Sequence, residues 1–193
     1  CSFVYLQGSE LKNRVVFYDF SEIGKNVPNR LVGGFDDEFQ GDMVPRVTYM
    51  GDPYSCAFSG KALTFFSSRN LASPELLEQR TIEERIDSVF YSDEYAAAIV
   101  RNTNGEYGSR LEVYKKDGTH VLSKEFNFEY THADFDGDLI ILYNEDSCRI
   151  YNMSGTEKFD ATFDFPVSRI RKGRFPGTLV VTGPQQMREL KLR

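Results

Sequence analysis

Apolar and polar residues alternate along most of this chain. Segments such as "FVYLQ" (3–7), "SRLEVYK" (109–115) and "EKFDATFDF" (157–165) change character from one residue to the next. That period of two marks a half-buried β-strand. Between them lie short apolar runs, "AAAIV" (96–100) and "LIILY" (139–143). These are the length of strands buried on both faces and far short of the ~20 residues that span a bilayer.

The pattern also repeats. An acid follows a short strand and precedes an apolar one at Asp52, Asp93 and Asp138, at intervals of 41 and 45 residues. A weaker copy starts near residue 168 with "SRIRKGRFPGTLVV". Each unit continues with a second strand, "KALTFF" (61–66), "SRLEVYK" or "CRIYN" (148–152), and then a turn. Two of those turns are Asp117-Gly118 and Ser154-Gly155. Asp-Gly between alternating strands signals a hairpin whose two central residues both take positive φ. The closing strands are "THVLSKEFNF" (119–128) and "EKFDATFDF". Four short antiparallel strands in about 40 residues are the period of a β-propeller blade.

One segment competes with this reading. "SPELLEQRTIEERI" (73–86) carries helix-start signals: Ser73 as cap, Pro74 in the first turn, then Glu75. Its apolar residues suit a helix only loosely, and the repeat requires a fourth strand followed by the next blade from Arg85. The expectation follows the repeat.

At the N-terminus, "FVYLQ" and "RVVFYDF" (14–20) read as strands two and three of a blade without its first strand, and 21–42 as a loop with a fourth strand. At the C-terminus, "SRIR", "TLVVTG" and "MRELKL" give three strands. The expected fold is all-β: a partial propeller of four to five WD-repeat-like blades, with units near 1–42, 43–84, 85–129, 130–166 and 167–193. A tally of three, four, four, four and three strands fits an open arc, the C-terminal part of a larger propeller, better than a closed five-bladed ring.

Composition agrees. Aromatics reach 14% with 16 Phe, 11 Tyr and no Trp, a bias toward strands. Net charge is −6, which disfavours nucleic acid and gives no general attraction to anionic lipid. Of the three cysteines, Cys56 and Cys148 lie in apolar strand patterns and read as buried free thiols, with a Cys56–Cys148 bridge as the alternative. The absence of an initiator Met and of a signal peptide suggests a targeting segment upstream of Cys1.

Residues 63–193 also resemble a known group. The pieces are "PELLEQ…IEERIDSVFYSDEY", "LEVYKKDGTHVLSKEFNFEYTHADFDGDLIILYNEDSCRIYNMSGTEKF" and the closing "ELKLR". They are similar to an uncharacterised domain-of-unknown-function family of bacterial propeller-like proteins, found mainly in gut Firmicutes. The resemblance implies a short cytoplasmic end, one transmembrane helix and an extracellular propeller. It brings no active-site residues. The first 60 or so residues match weakly.

Candidate chemistry is sparse. "DFDGDLII" (134–141) places Asp134, Asp136 and Asp138 at alternate positions, as a calcium loop does. An EF-hand needs glycine sixth and glutamate twelfth, whereas here glycine is fourth and an apolar run follows. A tight turn opening a strand is the simpler expectation, with the metal site as its alternative. "RIRKGR" (169–174) is the one basic cluster, with Arg169, Arg171, Lys172 and Arg174. It reads as the wet side of a strand opposite Ile170, or as an anion contact.

His120 follows the Asp117-Gly118 turn as a solvated hairpin residue, and His132 sits in a first strand. Acids suited to a glycosidase are Asp36, Asp37 and Glu38 in a loop, and Glu83 and Glu84 at an exposed strand end. Phe17, Tyr18, Phe65, Phe66, Tyr114, Tyr143 and Tyr151 are expected between blades.

The functional expectation is a non-catalytic, extracytoplasmic propeller without cofactor, serving as a protein-binding or scaffolding module for a cell-surface protein or wall component. It would be membrane-anchored only through an upstream helix. The alternative is a carbohydrate-active or glycan-binding propeller.

Overall fold

The computed structural model describes residues 1–192 apart from 22–23, 27–28, 40–41 and 102–105, and only the backbone of Asp37. Parts of the loop read over 21–42, and the Arg193 that closes "ELKLR", lie outside the described residues. Among the described residues, five antiparallel sheets carry the chain, with one 3-10 turn at Asp37–Phe39. The first holds β1 (Ser2–Gln7), β2 (Glu10–Tyr18) and β3 (Leu31–Phe35). The second holds β4 (Arg46–Tyr49), β5 (Tyr54–Phe58), β6 (Ala62–Ser67) and β7 (Glu75–Thr81). The third holds β8 (Ile86–Tyr91), β9 (Tyr95–Arg101), β10 (Ser109–Lys115) and β11 (His120–Phe126). The fourth holds β12 (His132–Asp136), β13 (Leu139–Tyr143), β14 (Ser147–Asn152) and β15 (Glu157–Thr162). The fifth holds β16 (Arg169–Lys172), β17 (Thr178–Thr182) and β18 (Met187–Lys191).

Spatial order follows chain order in every sheet, so each is a meander blade. A register shift marks the pairing of third and fourth strands: at Phe65/Phe66, Val113/Tyr114 and Ile150/Tyr151. The first sheet has the same shift at Phe17/Tyr18, between β2 and β3. Its three strands are therefore the second, third and fourth of a blade. The segment 73–86 forms β7 and not a helix, because β6 supplies a ladder from Ala62↔Thr81 to Ser67↔Glu75.

Neighbouring blades bury four cores in turn. Val15, Phe39, Ala57 and Phe66 join blades one and two. Cys56, Phe58, Phe65, Ala98 and Tyr114 join two and three. Leu111, Val113, Phe135, Ile140 and Tyr151 join three and four. Ile141, Cys148, Phe165, Ile170 and Val181 join four and five. Among the described residues no core joins blade five to blade one, so the blades form an open arc. Cys56 and Cys148 are free thiols buried at different blade interfaces, and Cys1 is exposed.

The turn chemistry differs from the expectation in one detail. Gly118 and Gly155 have φ of 86° and 77°, but no described non-glycine residue has positive φ. Asp117 instead accepts a hydrogen bond from the Thr119 amide at 2.9 Å, and the strand bulge absorbs the extra residue.

Candidate functional site

The acids of "DFDGDLII" and the basic cluster meet each other. Residues 134–141 run from β12 through a turn at Gly137, with φ 63°, into β13. Arg171 donates to Asp134 at 2.6 Å. The Lys172 amide donates to Asp136 at 2.6 Å, and Lys172 Nζ donates to Asp138 at 2.5 Å. The Lys172 bond holds the Asp138 carboxyl below its usual range. Three carboxylates that could surround a cation are thus each engaged by blade five. Among the described residues no group of three or more His, Cys, Asp or Glu is placed to hold a metal. Arg169 and Arg174 are exposed, and Ile170 is buried behind them.

A second charged network lies at the outer side of blade three. Glu112, only 9% exposed on β10, accepts from Arg110 Nε at 2.6 Å and Ser123 Oγ at 2.9 Å. His120 Nε2 stands 3.0 Å from its other oxygen. His120 is therefore tied to a carboxylate and not simply solvated. Arg110 also grips Glu84 with two bonds of 2.7 and 2.9 Å, which lowers the Glu84 carboxyl below its ordinary value. Glu84 is not an idle strand-end acid; it ties the blade two–three connector to blade three. Asp36 pairs with Arg14 at 4.0 Å, Glu38 and Glu83 are exposed, and the Asp37 side chain lies outside the described residues. His132 stacks on Tyr143 with ring centroids 4.8 Å apart. Tyr143 and Tyr151, with Phe17, Phe65, Phe66 and Tyr114, pack between blades, whereas Tyr18 is exposed.

The most site-like concavity is a cleft of about 690 Å³ between blades three and four. It opens on the rim formed by the blade connectors and the turns after second strands. Asp87, Ser88, Arg101, Phe128, Tyr130 and Asn144 line it. β8 supplies Asp87 and Ser88, β9 ends at Arg101, and the 127–131 connector brings Phe128 and Tyr130 across from blade three. Arg101 and Arg85 both reach Asp87, at 3.2 and 3.3 Å. The Ser88 and Tyr130 hydroxyls are 2.7 Å apart. Burial pushes the Tyr130 phenol up, so at neutral pH it stays protonated and able to donate. Asn144 donates to the Glu129 carbonyl at 2.7 Å, fixing the cleft's far wall. The cleft therefore offers an aromatic wall, hydroxyls and a compensated charge pair. This chemistry suits recognition, because its one lining carboxylate from a strand is neutralised by two guanidiniums. None of these six residues stands out in the sequence, because each matters only through a neighbour brought up by strand register.

The family described as "Family of unknown function (DUF5711)" matches residues 1–192. No curated protein matches the chain. The crystal structure of Saccharomyces cerevisiae Sqt1 matches with TM-score 0.56 at 12% identity, over all of this chain and 58% of that one. Kluyvelomyces marxianus Hsv2 matches with TM-score 0.50 at 11% identity, over 98% of this chain and 55% of that one. The WD40 domain of Neurospora crassa Pan2 matches with TM-score 0.48 at 10% identity, over 98% of this chain and 61% of that one. At such identities the likeness to Sqt1 and the Kluyvelomyces marxianus Hsv2 shows the fold alone, a partial propeller of WD40-like blades. The chain spans 58% and 55% of the first two of these structures.

Proposed function

The chain belongs to that family of unknown function, and from its propeller fold we propose that it is a non-catalytic module that binds a protein partner across the blade three–four cleft. The observation that carries this reading is the cleft itself. It is broad, walled by Phe128 and Tyr130, and rimmed by the Asp87–Arg101 pair. Tyrosine and arginine are enriched where protein interfaces hold most of their energy. WD40-like propellers commonly serve as interaction platforms, which supports the reading by fold analogy. The carboxylates best placed for chemistry, Asp134, Asp138, Glu84 and Glu112, are held by cations, which favours a scaffold over a glycan-cleaving site. An extracytoplasmic position, with a cell-surface protein or wall component as partner, is part of the proposal.

The test is affinity capture from solubilised envelope of the source cells with three immobilised proteins: the natural chain, Tyr130→Ala and Arg101→Glu. The expected result is one protein retained by the natural chain and lost by both variants. Recovery of wall polysaccharide in place of a protein, or a partner indifferent to both substitutions, would displace this reading. Labelling of intact cells with a membrane-impermeant reagent checks the location.

A further inference from the structure

The blades follow one pattern, and its interruption leaves a notch. The pattern places an aromatic residue near the end of the first strand in blades two, three and four, facing the preceding blade: Tyr49, Tyr91 and Phe135, at intervals of 42 and 44 residues. Phe135 is 6% exposed and packs on Phe90 of the preceding blade's first strand, centroids 4.6 Å apart. Tyr91 is covered in the same way by the preceding first strand, with the Arg46 guanidinium 5.1 Å above its ring. Tyr49 shares its face with Val47, which packs on the blade one–two core, yet it is 61% exposed. Among the described residues, blade one has no first strand to cover it.

Two further observations fall on the same spot. Ser55, opposite Tyr49 in the ladder and 8% exposed, has a buried hydroxyl with no hydrogen-bond partner among the described residues. Its counterparts in the pattern, Ala96 and Ile140, are apolar. On the blade-one side, β2 runs on through Phe17 and Tyr18 beyond its last pairing to the β1 segment, where Cys1 and Val16 exchange bonds of 2.8 and 2.9 Å. Among the described residues, the strand edge at Phe17 and Tyr18 is thus open on that side. Burial, then the charge of Asp52 in the turn that follows β4, raises the Tyr49 phenol above its ordinary value.

We propose that a β-hairpin of the protein's own polypeptide, outside residues 1–193, fills this notch. Its outer arm pairs with β2 at Phe17–Tyr18, and its inner arm supplies blade one's first strand with an arginine or lysine over Tyr49 and a partner for Ser55. The cation follows from Arg46, which covers the equivalent Tyr91, and Asp52 in the turn after β4 would favour it. Burying a hydroxyl without a partner costs free energy, and an adjoining strand removes that cost. An own-chain source is consistent with a chain that spans little more than half of the propellers it superposes on.

The test supplies a surrogate hairpin. Residues 45–56 carry β4, its turn and the start of β5, and the shared register aligns Cys1 with Ala57. A chain with a copy of 45–56 joined ahead of Cys1 is compared with the 193-residue chain. Readouts are nitration of the original Tyr49 mapped by mass spectrometry, thermal midpoint and sedimentation. The expected result is a monomer with a raised midpoint and severalfold slower nitration, reversed in part when the copy carries Arg46→Ala. Unchanged nitration and midpoint would overturn the proposal. Protection indifferent to Arg46→Ala would overturn the cationic requirement. Protection of Tyr49 in the unextended chain by dimerisation would overturn the own-chain source.

Discussion

Glu112 illustrates how a single residue binds distant parts of the chain. Its carboxylate collects Arg110, His120 and Ser123, and Arg110 in turn holds Glu84. Glu112→Ala leaves a partly buried guanidinium without half of its compensation. The expected loss is roughly 2 kcal/mol, a fall of about 4–8 °C in Tm for a domain of this size. Glu157→Ala removes only an exposed partner of Arg149, 3.5 Å away, and should cost less than about 1 kcal/mol. Thermal unfolding of the two variants checks the contrast; equal losses would show that the Glu112 network carries no special weight. The thiols give a second residue-scale test. Burial, then Asp160, pushes Cys148 up to about 12, and burial raises Cys56 well above its ordinary value. In the native protein at pH 8 one thiol, Cys1, should react with a thiol reagent, and all three should react in denaturant. The folded chain holds these two protons more tightly than the unfolded one. Their contribution to stability is therefore complete below the unfolded value of about 8.5 and is lost as pH rises toward the folded values. Melting midpoints measured from pH 7 to 11 should fall across that window, and less so in Cys148→Ala.

At the scale of the element, the hairpins decide how blades nest. Gly118 stands at φ 86° with Glu78 and Phe65 of blade two packed around it, so an added Cβ would lie 2.5 Å from the Glu78 Cβ. Gly177 also has positive φ, 71°, but faces open space. Gly177→Ala should cost about 1 kcal/mol for the backbone alone, and Gly118→Ala about 2–3 kcal/mol because it also wedges two blades apart. Urea unfolding of both variants measures the difference, and comparable values would mean that the turn is not a nesting contact. The place of the Asp117-Gly118 turn was legible in the sequence, as were most of the strands, because period two and Asp-Gly spacing are local signals. The segment 73–86 shows where local signals fail: Ser73-Pro74-Glu75 favours a helix start, and the free edge of β6 overrides it. The charged networks were not legible. Arg110 meets Glu84 from 26 residues away and Arg171 meets Asp134 from 37, distances closed only by stacking blades. For the same reason the cleft at Tyr130 and Ser88, 42 residues apart, carries no signature along the chain.

For the whole molecule, the arrangement is nearly one-dimensional. Each blade touches its neighbours through its own core, and the cores follow each other along the arc. Stability in such an array is approximately a sum of blade and interface contributions. Among the described residues, blades two, three and four are covered on both faces, whereas blades one and five are each covered on one. The burial of individual strands tracks this: β6 and β13 are buried throughout, β1 is exposed along nearly all of its length, and β18 is exposed except at Leu190. Opening a terminal blade breaks one interface, and opening a central blade breaks two, so the ends should open at lower free energy. Native-state hydrogen exchange should therefore rank the amides: β1 and β18 fastest, β9, β10 and β13 slowest and close to the global limit. Filling the notch beside Tyr49 should slow the blade-one amides while leaving those of β18 unchanged. Equal protection of β1 and β13 would mean instead that the arc unfolds as one cooperative unit, with the end blades held as firmly as the centre.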